Sequence, residues 1–186
     1  AILSLTAVAA HNRTRLARNI LHFTLPAAFL LFFFGLLIYT GTFFLAQHRL
    51  ALIEITPEIQ ALIERTARVA AGSLSNAQVQ QSAIYYTAQT ALVTFFVLTG
   101  VLLMLFAEPP LHWFAGGAPY RGSWLVVLAA AGLIAGYYVV LLIPRLREFF
   151  ELVPLPLSLH AVIVAATLLW VLLQRFVYRR QWLERF

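Results

Sequence analysis

The chain has no cysteine, no lysine and no aspartate, and only 11% of its 186 residues are charged. Each shortage excludes something. Without cysteine there is neither a disulfide nor a thiolate metal site. Without lysine there is no phosphate loop of the Gly-x-x-x-x-Gly-Lys type, and without aspartate no aspartyl-phosphate. No catalytic residue, cofactor site or metal site is therefore expected within the chain. A soluble domain carries about a quarter charged residues. At 62% hydrophobic, with mean hydropathy +0.85, this sequence is instead that of an integral membrane protein, and a soluble enzyme is excluded. All 13 basic residues are arginine and all 7 acids are glutamate, a net charge of +6. That excess is not a nucleic-acid footprint, because the arginines flank apolar runs, where they face lipid headgroups. The lipid bilayer is the expected partner, and nucleic acid is not.

Four apolar runs are long enough to span a bilayer, about 25–46, 76–107, 124–143 and 155–174. The fold class that follows is all-α: a bundle of four transmembrane helices in one domain, 1–186, with no strands. The opening Ala1–Ala10 is apolar but about half a span long, and lacks a basic region ahead of it. It reads as the end of an earlier membrane helix. The chain begins on Ala1, and its single methionine is Met104, inside an apolar run; a fragment is expected, with a processed N-terminus as the alternative. His11–Arg18 is then a basic connector, and the glycosylation pattern Asn12-Arg13-Thr14 is discounted there as cytoplasmic. Pro26 suits the first turn of the first full span. Phe32, Phe33 and Phe34 face lipid or neighbouring helices, and Thr40 and Thr42 bond back to carbonyls one turn earlier.

The longest polar segment is Gln47–Val79. Thr56-Pro57-Glu58 supplies an N-cap, a proline at the first helical position and a first-turn acid. Ile59, Leu62, Ile63, Thr66, Val69 and Ala70 follow at helical spacing, and Gly72 is a stop. The spacing predicts a short amphipathic, extracytoplasmic helix over 57–71 with Glu64 and Arg68 paired, lying on the bilayer or capping the bundle. Ser75 and Gln78 then form a capping box. The helix it opens extends to Ala107, roughly 47 Å, so it tilts or projects from the membrane. Gln81, Tyr85 and Gln89 share one of its faces at i, i+4 spacing. Unpaired amides are costly in hydrocarbon, so this face is expected to point into the bundle, as helix–helix glue or as part of an ion path.

Glu108-Pro109-Pro110 ends that helix, and 111–122 is an aromatic, turn-rich interfacial loop. His112 beside Glu108 is too few ligands for a metal. Gly132 and Gly136 form a small-xxx-small step suited to close helix packing. The connector Ile143–Leu155 holds four of the chain's twenty charged residues. Pro144 ends the incoming helix there, Pro154 and Pro156 restrain entry to the next, and Phe149 and Phe150 suit the membrane interface. His160, near the start of the last span, has a structural role, and Arg175, Arg179, Arg180 and Arg185 close the chain. Eight arginines fall on the side of the two termini and five on the other, so both ends are expected in the cytoplasm.

One series of segments resembles a known family. Leu21-His22-Phe23-Thr24-Leu25-Pro26-Ala27-Ala28 enters a span, and the next ends Phe106-Ala107-Glu108-Pro109-Pro110. The third runs into Ile143-Pro144-Arg145-Leu146-Arg147-Glu148-Phe149-Phe150-Glu151-Leu152, and Pro154-Leu155-Pro156-Leu157-Ser158 opens the last. This order resembles the C-terminal membrane domain, helices seven to ten, of bacterial P-type cation-transporting ATPases. The resemblance implies a supporting domain that braces the ion-transport helices of an ATP-driven pump in the bacterial plasma membrane. ATP and magnesium would belong to the parent protein. So would the phosphorylated Asp-Lys-Thr-Gly motif, the cytoplasmic domains and the main cation-binding helices, which would be this chain's partners. The alternative is a stand-alone four-helix membrane protein acting as a transporter subunit or assembly factor.

Overall fold

The computed structural model describes the backbone of residues 2–48, 55–107 and 124–180, and the side chains of 24–48, 55–106 and 124–177. Six helices follow one another among them: α1 (Ile2–His48), α2 (Pro57–Thr66), α3 (Asn76–Ala107), α4 (Trp124–Leu142), α5 (Pro144–Phe149) and α6 (Leu157–Arg180). No strand occurs among the described residues. Four stretches are long and apolar enough to cross a membrane: Thr24–His48, Asn76–Phe106, Trp124–Leu142 and Leu157–Val177. The fold is the all-α membrane bundle that the hydropathy indicates. Several sequence expectations fall outside the described residues: the interfacial loop with Glu108, His112 and Arg121, the side chains of Arg13, Arg15 and Arg18, and those of Arg179, Arg180 and Arg185.

The first boundary differs from the sequence reading. The helix does not break between an earlier span and the first full one; α1 runs unbroken through 11–18. That segment has neither glycine nor proline, and its arginines, leucine and alanine are good helix formers. Pro26 therefore lies inside the helix rather than in its first turn, and its missing N–H leaves the carbonyl four residues earlier without its helical partner. At 1.5 Å per residue α1 is roughly 70 Å long, more than twice the hydrocarbon thickness.

The helices pack around α3. It touches α1, α4 and α6 along its length and α2 at its start, while α1 also lies against α6. Phe34 and Ile38 of α1, Ala91, Phe95, Leu98 and Phe106 of α3, and Ile163, Trp170 and Val171 of α6 form the main apolar core. Phe34 stacks on Phe95 with ring centroids 6.3 Å apart. Phe32 and Phe33 are exposed, so only one of the three consecutive phenylalanines faces inward. Half of the apolar window of α3 is buried, against 6% of that of α4. Hence α3 is the axis of the bundle and α4 its most peripheral member, with most of its apolar surface left for lipid.

Candidate functional site

The polar chemistry concentrates where α2 and the 143–156 connector cover one end of the bundle. α2 starts as its sequence dictates. Thr56 is extended, its hydroxyl accepts from the Ile59 N–H at 3.4 Å, and Pro57 takes the first helical position. Its apolar face, Ile59, Leu62 and Ile63, buries against Val79 and Ala83 of α3 and Val153 of the connector. α2 thus caps the bundle. It ends at Thr66, five residues earlier than expected, because Arg68 turns left-handed at φ +55° and Gly72 does so at +77°. The expected Glu64–Arg68 pair does not form. Glu64 is buried and its Oε1 instead accepts from Gln60 Nε2 and from the Gly72 N–H, both at 3.0 Å. A carboxylate satisfied in this way ties the 67–75 turn to the helix it leaves. The Ser75–Gln78 box is present: the Gln78 N–H donates to Ser75 Oγ at 3.4 Å, and the Ser75 N–H to Gln78 Oε1 at 2.9 Å.

The connector is more ordered than a hairpin loop. Pro144, at the first helical position, opens the short α5. Glu151 at φ +54° then reverses the chain, with the Leu152 N–H bonded to the Arg147 carbonyl at 2.9 Å. Phe149 and Phe150 stay exposed, while Leu152 and Val153 turn inward and are buried. Two ion pairs lock α5 to α2. Arg147 Nη2 lies 2.9 Å from Glu58 Oε2, and Arg65 pairs with Glu148. Glu58 sits in the first turn of α2 and Arg65 in its last, so the helix dipole favours both charges. Arg147 is the more enclosed of the two arginines, 13% exposed against 70%, and its Nη1 also donates to the Leu141 carbonyl at 3.3 Å.

Below this clasp a chain of hydrogen bonds enters the bundle. The Val153 N–H donates to Thr90 Oγ1 at 3.1 Å, Thr94 Oγ1 donates to the Thr90 carbonyl at 2.7 Å, and Thr94 Oγ1 and the Tyr137 hydroxyl are 2.7 Å apart. The Val153 N–H, outside any helix and buried, is thereby satisfied by protein. Thr87 and Thr99 bond back to Ala83 and Phe95 carbonyls, both at 2.7 Å, and Thr40 does the same to Leu36 as expected. Connector, α3 and α4 are joined by side-chain hydroxyls.

No family model, curated protein or solved structure matches the chain.

The face picked out from the sequence is not the buried one. Gln81, Tyr85 and Gln89 lie exposed along α3, and only Tyr85 has a ring neighbour, Phe43 of α1, at 5.2 Å between centroids. Among the described residues, Tyr85 is thus the member of this face with a ring contact to another helix. The buried polar stripe of α3 is instead Thr87, Thr90 and Thr94. A threonine hydroxyl can return its proton to its own helix, so it enters a core more cheaply than a carboxamide. Spacing of i, i+3, i+7 was the available signal. Gly132 and Gly136 are likewise exposed, and a Cβ at either meets nothing within 4 Å among the described residues. The close approach occurs at Gly35 of α1, where a Cβ would lie 2.6 Å from Phe96 Cε1. The His160 ring lies 6.3 Å from that of Tyr138. Among the described residues no group of three or more His, Asp or Glu could hold a metal.

Proposed function

We propose that this chain is the supporting membrane domain of a bacterial P-type cation-transporting ATPase, bracing the ion-transport helices and performing no chemistry itself. The observation that carries the reading is the state of the Pro-x-Leu-Arg-x-Phe-Phe-x-Leu turn, the most specific part of the resemblance. It is folded as a clasp: Arg147 and Glu148 hold α2, and Val153 is bonded into α3 through Thr90. Those polar groups are spent on holding helices together, which is what a brace requires. The exposed Gln81–Tyr85–Gln89 face supports the reading from the other side. Carboxamides facing hydrocarbon are costly, and the transport helices of the parent, outside this chain, are suitable cover for them. ATP and magnesium then act on the parent's cytoplasmic domains.

The arginine distribution supports a plasma-membrane orientation with both termini in the cytoplasm and α2 with the connector outside. Reporter fusions at residues 18 and 186 should score inside and one near Gly72 outside; the reverse pattern overturns that orientation. The function is tested by the upstream reading frame. An Asp-Lys-Thr-Gly motif several hundred residues earlier is the expected result, and an initiator methionine directly before Ala1 would leave a stand-alone protein.

A further inference from the structure

At the opposite end of the bundle, α6 presents a second polar stripe to the interior. Thr167, Trp170 and Gln174 follow at i, i+3 and i+7, so they share one helix face. They are 4%, 0% and 1% exposed. Thr167 Oγ1, Trp170 Nε1 and Gln174 Oε1 are each buried, with no hydrogen-bond partner among the described residues. The contrast with α3 is direct. Thr87, Thr94 and Thr99 each return a proton to the carbonyl one turn back, whereas the Thr167 hydroxyl does not. A buried donor or acceptor left dry keeps its full desolvation cost.

We propose that this stripe is an internal hydration site, taking one or two water molecules within the bundle. The chemistry of the three atoms selects the ligand. The indole N–H only donates, the carboxamide oxygen only accepts, and the hydroxyl does either. A bare cation is repelled by the positive end of the indole N–H, and an anion by the carboxamide oxygen. A small neutral molecule that both donates and accepts satisfies all three, and a buried water needs two to four such partners. Trp170 and Gln174, one turn apart, have Cβ atoms roughly 5–6 Å apart, close enough for a single water to bridge their ends. The side chains are closely packed, and the long unbranched Gln174 is the one that yields to admit the water. Gln174 lies three residues before the end of the apolar span at Val177, so water has a short way in from that surface. The inference is independent of the pump reading, because it uses only groups within this chain.

The test is water–protein NMR on the full chain in nanodiscs, with nitrogen-15 in the tryptophan side chains. Trp170 is assigned by the indole signal that disappears in Trp170→Phe. The expected result is a cross-peak between the Trp170 indole proton and water, of the sign that a long-lived bound water gives. That cross-peak should be lost in Thr167→Val/Gln174→Leu while the indole signal itself remains. A Trp170 indole proton with no water cross-peak in the unsubstituted chain overturns the proposal, and that measurement needs no variant of the stripe to fold. A cross-peak unchanged by the double substitution overturns it as well, because Thr167 and Gln174 would then not hold the water.

Discussion

The two ends of this bundle treat buried polar groups in opposite ways. Beneath α2, Thr90 accepts a backbone N–H from the connector and Thr94 meets Tyr137 of α4, so polar atoms cross between elements. Toward the end of α6, Thr167, Trp170 and Gln174 are as deeply buried but reach no protein partner among the described residues. The apolar packing is continuous between the two: Phe95, Ile163 and Trp170 belong to one core. The difference shows that in lipid, where apolar burial alone barely favours helix over lipid contact, fastening is local. One end is stapled by hydrogen bonds and ion pairs, and the other is held by shape.

The largest expected effect comes from turning the fastened end into a copy of the other. Thr90→Val keeps the side chain's shape but orphans the buried Val153 N–H, and should cost about 1–3 kcal/mol. Reversible unfolding in mixed detergent micelles measures it, with Thr167→Val as the comparison. The Thr167 hydroxyl supports no backbone donor, so its removal should cost less. Equal costs would erase the distinction between the two ends.

The ion pairs come next. Arg147→Gln removes the enclosed pair with Glu58 and the contact with the Leu141 carbonyl, and should cost about 1 kcal/mol. Arg65→Gln loses only an exposed pair and should cost a few tenths, roughly, shrinking further as salt is raised. The same unfolding assay at low and high ionic strength separates them. A larger loss at Arg65 would mean that the clasp is closed by its exposed side.

The last comparison tests the packing that holds the remainder, and its smaller member is the smallest effect expected. Gly35→Ala pushes a methyl against Phe96 and should cost about 1 kcal/mol, because overpacking forces a neighbour to shift. The ring of Phe96 is partly exposed and can swing away, so the cost should vanish in a Phe96→Ala background. Gly132→Ala should change stability by no more than about 0.5 kcal/mol, since its Cβ enters open space. A large loss there, measured on this chain alone, would contradict the outward placement of that face.

What the sequence made legible is what is decided within a few residues or by sheer apolarity. The four spans, the Thr56-Pro57 start and the Ser75–Gln78 box needed no knowledge of neighbours. The rest turns on which groups meet across the fold. Arg147 finds Glu58 89 positions away, and nothing in the local pattern announces it. Glu64 had Arg68 at ideal helical spacing, yet bonds to Gly72 because the helix ends first. Gly132 and Gly136 had the better motif, and Gly35 the actual contact, because a small residue matters only where a neighbour is bulky. Two polar stripes ran along α3, and the sequence could not say which one the other helices would cover.

Val153 also orders events in time. Its slot is built from Ile59, Leu62 and Ile63 of α2 and from Val79 and Ala83 of α3. No such slot exists until α2 has folded back over the start of α3. The chain is made from its N-terminus, so α1 to α3 are complete before the connector emerges. α4 and α6 can each dock on α3 beforehand, but the connector between them seats last, as a latch closes on a finished frame. A lesion that delays α2 would therefore show itself far along the chain, as a last pair of helices inserted but not fastened.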